Sequence, residues 1–191
     1  MGMIRARHIP ALVLLLCLAV MQVACTGYTI RPPESVADPV GIYIVDYGDT
    51  SRLWLPEDQG GYTEWGYGDW RWYANDKTNL LYGVVVLTWP TSATLGRHER
   101  DTGPWGADGV LLADLAGYAQ LVHEIDVERP KMEALRTELN ERYESQRSTE
   151  IFNERRQMSF VKDDSSYWMG HQSTTVMADW TRKLGCKASG Y

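Results

Sequence analysis

Histidine, cysteine and phenylalanine are scarce in this chain: four, three and two in 191 residues. So few histidines leave little material for metal chemistry. His123-Glu124 with Asp126 and Glu128 has the composition of a metal cluster but lacks the i, i+4 histidine pair of a zinc-binding helix. Alternation along a strand also puts His123 and Glu124 on opposite faces. His98 to Asp101 reads as a charged, solvated loop, and neither a metal nor a cofactor is expected. Basic residues are in deficit too, 19 against 25 acidic, for a formal charge of −6. A general nucleic-acid binder needs a basic face to neutralise phosphates, so that class is excluded. No apolar run reaches the roughly 20 residues of a membrane-spanning helix. There is no internal repeat and no low-complexity tract. What is abundant is tryptophan and tyrosine, 8 and 11, side chains with a large apolar body and a polar tip. With 44% hydrophobic residues, the chain can bury a core, and its length suits one domain better than two.

The N-terminus has the layout of a secretory signal. Arg5, Arg7 and His8 precede the uncharged run ALVLLLCLAVMQVA, residues 11–24. Ala24-Cys25 resembles the lipobox of bacterial lipoproteins, in which the cysteine is acylated and becomes the mature N-terminus. Gln22 departs from the leucine usual three positions before that cysteine. The expected organisation is a signal peptide over 1–24, a proline-bearing tether over 25–39 and a single domain over 40–188. Cys17 falls in the signal and Cys25 at the processing site. Cys186 is then alone in the domain, without an intrachain partner, and reads as a small buried hydrophobe.

Within the domain the pattern predicts an α+β fold, a small antiparallel sheet packed with helices. VGIYIVD (40–46) is β-branched and aromatic and reads as a strand. Tyr47-Gly48-Asp49 is a turn signal, and Arg52 to Leu55 is a second strand closed by Pro56. Residues 62–73, YTEWGYGDWRWY, alternate like a strand. Residues 80–89, LLYGVVVLTW, form an apolar run expected to be buried and open to either helix or strand. Residues 96–109 read as a loop and 119–127 as a strand. Pro130 opens a helix with an apolar stripe of Met132, Leu135, Leu139 and Tyr143, and Glu138 and Arg142 form an i, i+4 pair on its wet side. A last helix runs from about Thr174 to Leu184, burying Val176, Met177, Trp180 and Leu184. Ser173 is placed as its N-cap and Gly185 as its stop.

The stretch VDYGDTSRLWLP (45–56) resembles a bacterial envelope family whose equivalent reads V-x-H-G-W-H-T-G-hydrophobic-x-L-P. Glu64-Trp-Gly66-Tyr-Gly68-Asp69 followed by Tyr73 matches that family's E-x-G-x-G-D-x-x-x-Y. Trp89-Pro-Thr-Ser92 matches its W-P-T-S, and Ser173 to Ala178 aligns with a late C-N-T-W-x-A helix. The resemblance covers about residues 40–186. It implies a permuted papain-like (NlpC-type) architecture, as in lecithin:retinol acyltransferase-like proteins and NlpC-type cell-wall peptidases. In that fold a cysteine at a helix N-terminus is activated by a histidine from the sheet. Here Tyr47 and Thr50 stand at the two histidine positions and Ser173 at the cysteine position. Neither tyrosine nor threonine replaces imidazole as a base at neutral pH.

The resemblance therefore implies a retained scaffold with a lost active site, one that binds or braces rather than catalyses. The lipobox-like Cys25, followed by Thr26 rather than the aspartate that retains lipoproteins at the inner membrane, adds the expectation of a lipid anchor facing the periplasm at the outer membrane. A soluble periplasmic protein is the alternative location. The expected partners are the membrane, through the anchor, and cell-wall material or another envelope protein. Two other readings stay open. Ser173 with a nearby histidine, His171 foremost, makes a divergent hydrolase or acyltransferase. Trp70 and Trp72, sharing a face if 62–73 is a strand, make a glycan platform beside Glu64 and Asp69, which are spaced as candidate paired carboxylates.

Overall fold

The motif glycines and the alternation around them decide how the sheet is built. The computed structural model describes residues 28–190 except positions 49, 113, 114, 116 and 117, so the signal segment, Cys25 and Asp49 lie outside the described residues. β1 (Tyr28–Arg31) pairs with β9 (Lys187–Gly190). β2 (Pro39–Asp46), β3 (Ser51–Pro56), β4 (Tyr62–Asp69), β5 (Thr91–Arg100), β6 (Leu121–Glu128), β7 (Ile151–Asn153) and β8 (Met158–Tyr167) form a second sheet. Its order is β6-β2-β3-β4-β5-β8-β7, and every pairing is antiparallel. The helices are α1 (Leu80–Thr88), α2 (Arg129–Ser145) and α3 (Ser173–Lys183). Among the described residues no helix is long and apolar enough to cross a membrane.

One face of the large sheet carries Ile42, Ile44, Leu53, Leu55, Trp65, Tyr67, Leu95 and Val161. The α2 stripe (Met132, Leu135, Leu139, Tyr143) and the α3 stripe (Val176, Met177, Trp180, Leu184) are buried with them. Both stripes are the ones the helical spacing predicts, because burial of one face is what holds an amphipathic helix in place. Gly185, with φ +92°, ends α3 in the left-handed region that glycine adopts without strain. The opposite face is more polar. Val45 and Trp54 there are covered by Leu115 and the loop between β5 and β6.

The structure corrects several expectations. Residues 96–100 are not loop: β5 runs through them, paired with β4 and, up to Arg97, with β8. Its Arg-His-Glu-Arg ending hides a strand whose polar residues have partners inside the fold. Residues 70–74 leave the strand as a π-helical turn (Trp70–Ala74). Within the stretch expected to be tether, Tyr28–Arg31 is a strand paired with Lys187–Gly190. Residues 80–88 are helical, and Leu81, Val85 and the adjoining Trp89 are exposed rather than buried. Glu138 and Arg142 do not pair with each other. Lys183 reaches Glu138 at 2.5 Å, and Arg142 grips Asp163 through two hydrogen bonds of 2.5 and 2.6 Å.

Candidate functional site

The E-x-G-x-G-D segment places its residues on both faces of β4. Glu64, Gly66 and Gly68 share one face, while Trp65, Tyr67 and Asp69 share the other. The glycines serve a close approach. A Cβ on Gly68 would collide with the Tyr73 ring, and one on Gly66 would meet the Met158 sulfur at 3.4 Å. The π-helical turn can thus fold back over its own strand and seat Tyr73 against bare backbone. Asp69 fixes that turn. Fully buried, it accepts a 2.8 Å hydrogen bond from the Trp72 N–H, others from the Tyr82 hydroxyl at 3.0 and 3.1 Å, and one from Thr91 at 2.5 Å. Burial, with the Asp69 charge beside it, pushes the Tyr82 phenol up to about 12. Asp69 therefore caps and braces, as its position after two glycines suggests.

Glu64 is the centre of a buried knot. Its Oε1 accepts from the Tyr47 hydroxyl and from Arg52, each at 2.8 Å. Its Oε2 accepts from Arg100 Nε at 3.1 Å and Nη2 at 2.9 Å. His98 Nδ1 stands 3.6 Å from Oε2, an electrostatic distance rather than a hydrogen bond. The loop assignment of His98 is thus corrected: its strand position directly opposes Glu64. Burial raises the Glu64 carboxyl, but the Arg52 and Arg100 guanidinium groups outweigh it and hold the group below the usual carboxylate range. Tyr47 is driven the other way, by burial and then by the Glu64 charge, so its phenol stays protonated and donates. The Arg52 guanidinium also lies 4.5 Å from the centre of the Tyr47 ring, and Arg100 lies 4.9 Å from that of Trp54. Beside Thr50 and Arg52 the remaining cavity is about 10 Å³, room for one water.

The helix-covered face carries a second network. The Tyr67 hydroxyl is 2.7 Å from Ser165 Oγ and 3.0 Å from His171 Nδ1, and Nδ1 is 2.9 Å from the Ser166 carbonyl. A carbonyl only accepts, so the Ser166 contact is a hydrogen bond in the tautomer that carries its proton on Nδ1. Ser165 in turn donates to Asp163, which Arg142 holds. Burial opposes ionisation of Asp163, but Arg142 and Ser165 outweigh it and depress its carboxyl. Ser173 is close by in sequence; it is buried and lies beside the Tyr167 phenol, which burial pushes up and Ser173 partly offsets. Ser173 is not the N-cap. Gln172 is, in a reciprocal capping box with Thr175, and Ser173 is the first residue of α3.

The positions aligned with catalytic residues are therefore not brought together. Tyr47 and Arg52 meet Glu64 on one face of the sheet, whereas Ser173 starts a helix packed on the other. Glu64 and Asp69 likewise lie on opposite faces of β4 and cannot flank one sugar bond as an acid/base pair. Trp70 and Trp72 do not share a strand face. They lie in the π-helical turn, half-buried against Tyr73, Ala74, Met158 and Phe160. Among the described residues no group of three His, Cys, Asp or Glu is placed to hold a metal. His123 and Glu124 occupy the edge strand β6, where Glu124 accepts from Tyr43 at 3.4 Å. Cys186 is buried, and burial, countered in part by Lys131, raises its thiol.

Sequence reasoning missed Arg52, Ser165 and Asp163 as site residues and placed His98 and Arg100 in a loop. A signal for Arg52, His98 and Arg100 was present: arginine and histidine on strands flanking β4, at positions that alternate into register with Glu64. Against known proteins, the chain matches no family model, no curated protein and no solved structure.

Proposed function

We propose that this chain is an envelope lipoprotein, acylated at Cys25 and facing the periplasm from the outer membrane. Its domain is a degenerate, permuted papain-like scaffold that works as a non-catalytic binding or structural module. The observation that carries this reading is the use made of the three aligned positions. Tyr47 is a donor in the Glu64 knot, Thr50 borders a cavity one water wide, and Ser173 is buried at the start of α3, across the sheet from both. A nucleophile needs a base within hydrogen-bond reach. Tyr47 spends its hydroxyl on holding the fold. The antiparallel sheet with α3 packed against it is compatible with the implied architecture. The partners of such a module are the membrane, through its anchor, and cell-wall material or another envelope protein.

One observation favours a second reading. The chain Asp163–Ser165–Tyr67–His171 ends two residues before Ser173, which suits a divergent hydrolase or acyltransferase whose base is His171. Incubation of the purified chain with peptidoglycan stem peptides and with acyl esters separates the two. No turnover by either the wild type or Ser173→Ala is expected. Turnover lost in Ser173→Ala would replace the module with the enzyme.

A further inference from the structure

The segment from Thr78 to Gly96 contains no charged residue in 19 positions. A charge-free segment of that length is ordinarily core. Here α1 turns part of it outward. Leu81 is 81% exposed, Val85 44% and Trp89, which caps the helix, 72%. Leu81 and Val85 are one turn apart and face the same way. The helix is held from its other side: Val86 enters the core, Tyr82 hydrogen-bonds Asp69, and Gly83 lies against the Trp72 ring. Thr91 pairs with Tyr167, so Trp89 and Trp168, the latter 45% exposed, leave the sheet at the same end.

We propose that the outer face of α1, with Trp89 and Trp168 at its rim, docks on a phospholipid bilayer. Four observations select this occupant. First, leucine and valine flanked by exposed tryptophans is the arrangement that suits the boundary between acyl chains and headgroups. Second, the exposed charges flanking this helix in sequence are basic, Arg71 and Lys77. Asp76 beside them is turned inward to Asn153 and Arg156, and Asp69 is buried. An overall acidic protein thus presents cations next to its apolar helix, complementary to anionic headgroups. Third, α1 has no charged residue of its own to keep it in water. Fourth, the leash is short. Only residues 26 and 27 separate Cys25 from the paired strand β1, and three residue steps span at most about 10 Å. A domain anchored at Cys25 therefore rests against the membrane rather than hanging below it.

This inference rests on the envelope reading for its address only, and the two fail separately. The full chain, reconstituted in vesicles of phosphatidylethanolamine and phosphatidylglycerol, is compared with vesicles whose acyl chains carry bromine, which quenches tryptophan on contact. The wild type is expected to lose a share of its fluorescence that Trp89→Phe does not lose. Leu81→Asp with Val85→Asp is expected to abolish that share while leaving the far-ultraviolet spectrum unchanged. Equal quenching of the wild type and Trp89→Phe overturns the proposal, and because Trp89→Phe is conservative this comparison stands even if the double variant misfolds. A dimer in sedimentation that the double variant dissociates also overturns it, by giving the face to a second copy of the chain. Mass spectrometry of the N-terminus reports acylation independently. Trp89-dependent quenching by a chain without an acyl group leaves the docking face in place and removes the lipoprotein reading.

Discussion

Replacing Glu64 with glutamine removes one charge from the centre of the polar knot and almost no volume. The carboxylate accepts hydrogen bonds from Tyr47, Arg52 and Arg100 and is fully buried. A glutamine has one acceptor oxygen, so its amide group must turn toward either the Tyr47 and Arg52 side or the Arg100 side, donor against donor. The Arg52 guanidinium is left in a low-dielectric site without its carboxylate, and Arg100 loses the Glu64 charge. Breaking a buried pair from one side costs about 3–5 kcal/mol. For a domain of this size that is a fall in Tm of roughly 6–20 °C. Urea denaturation of the wild type and Glu64→Gln at pH 7 measures the difference. Its pH dependence follows from the carboxyl's depressed pKa. The stabilisation is fully present above the unfolded carboxylate value of about 4.3 and is lost as pH falls through the lower folded value. The gap between the two proteins is therefore constant from neutral pH to about pH 5 and narrows in acid. A difference under about 1 kcal/mol, or one that does not narrow below pH 4, would refute the knot as an organising element.

Three further outcomes follow from the site. Gly68→Ala drives a Cβ into the Tyr73 ring and is expected to cost about 1–3 kcal/mol; adding Tyr73→Ala should recover part of that, measured as a shift in urea midpoint. Ser173→Ala removes a buried hydroxyl beside Tyr167 and should cost about 1 kcal/mol, with the α3 helix signal retained because Gln172 and Thr175 still cap it. Trp70 and Trp72 are packed against Tyr73, Ala74, Met158 and Phe160, so tryptophan emission should not change across a panel of cell-wall sugars; a saturable shift lost in Trp72→Phe would restore the glycan platform.

The parts of the fold legible in the sequence were those fixed by local spacing. The α2 stripe, the α3 stripe with its Gly185 stop, and the β2 and β3 strands all show a period that burial of one face requires. The parts that were not legible depend on distant partners. Arg97 to Arg100 looks like loop until β4 is beside it, where His98 opposes Glu64 and Arg100 binds it. Tyr28 to Arg31 looks like tether because its partner, β9, lies at the other end of the chain. The exposed half of α1 was hidden for the opposite reason: apolar composition reports what can be buried, and only packing decides which side is. At the candidate site, the role of Asp69 as a cap was readable from its glycines. Glu64 was readable as a residue of interest but not as a bound one, since its partners stand 12, 17 and 36 positions away.

On the proposed function, Tyr47, Thr50 and Ser173 hold the fold and do not react. The most direct measurement is treatment of the full chain with a fluorophosphonate probe, which forms a covalent adduct with an activated serine, followed by peptide mass spectrometry. With Ser173 buried at the start of α3 and separated by the sheet from the Tyr47 and Glu64 knot, no adduct at Ser173 is expected. Stoichiometric labelling of Ser173 in the folded protein, lost on denaturation, would contradict the account.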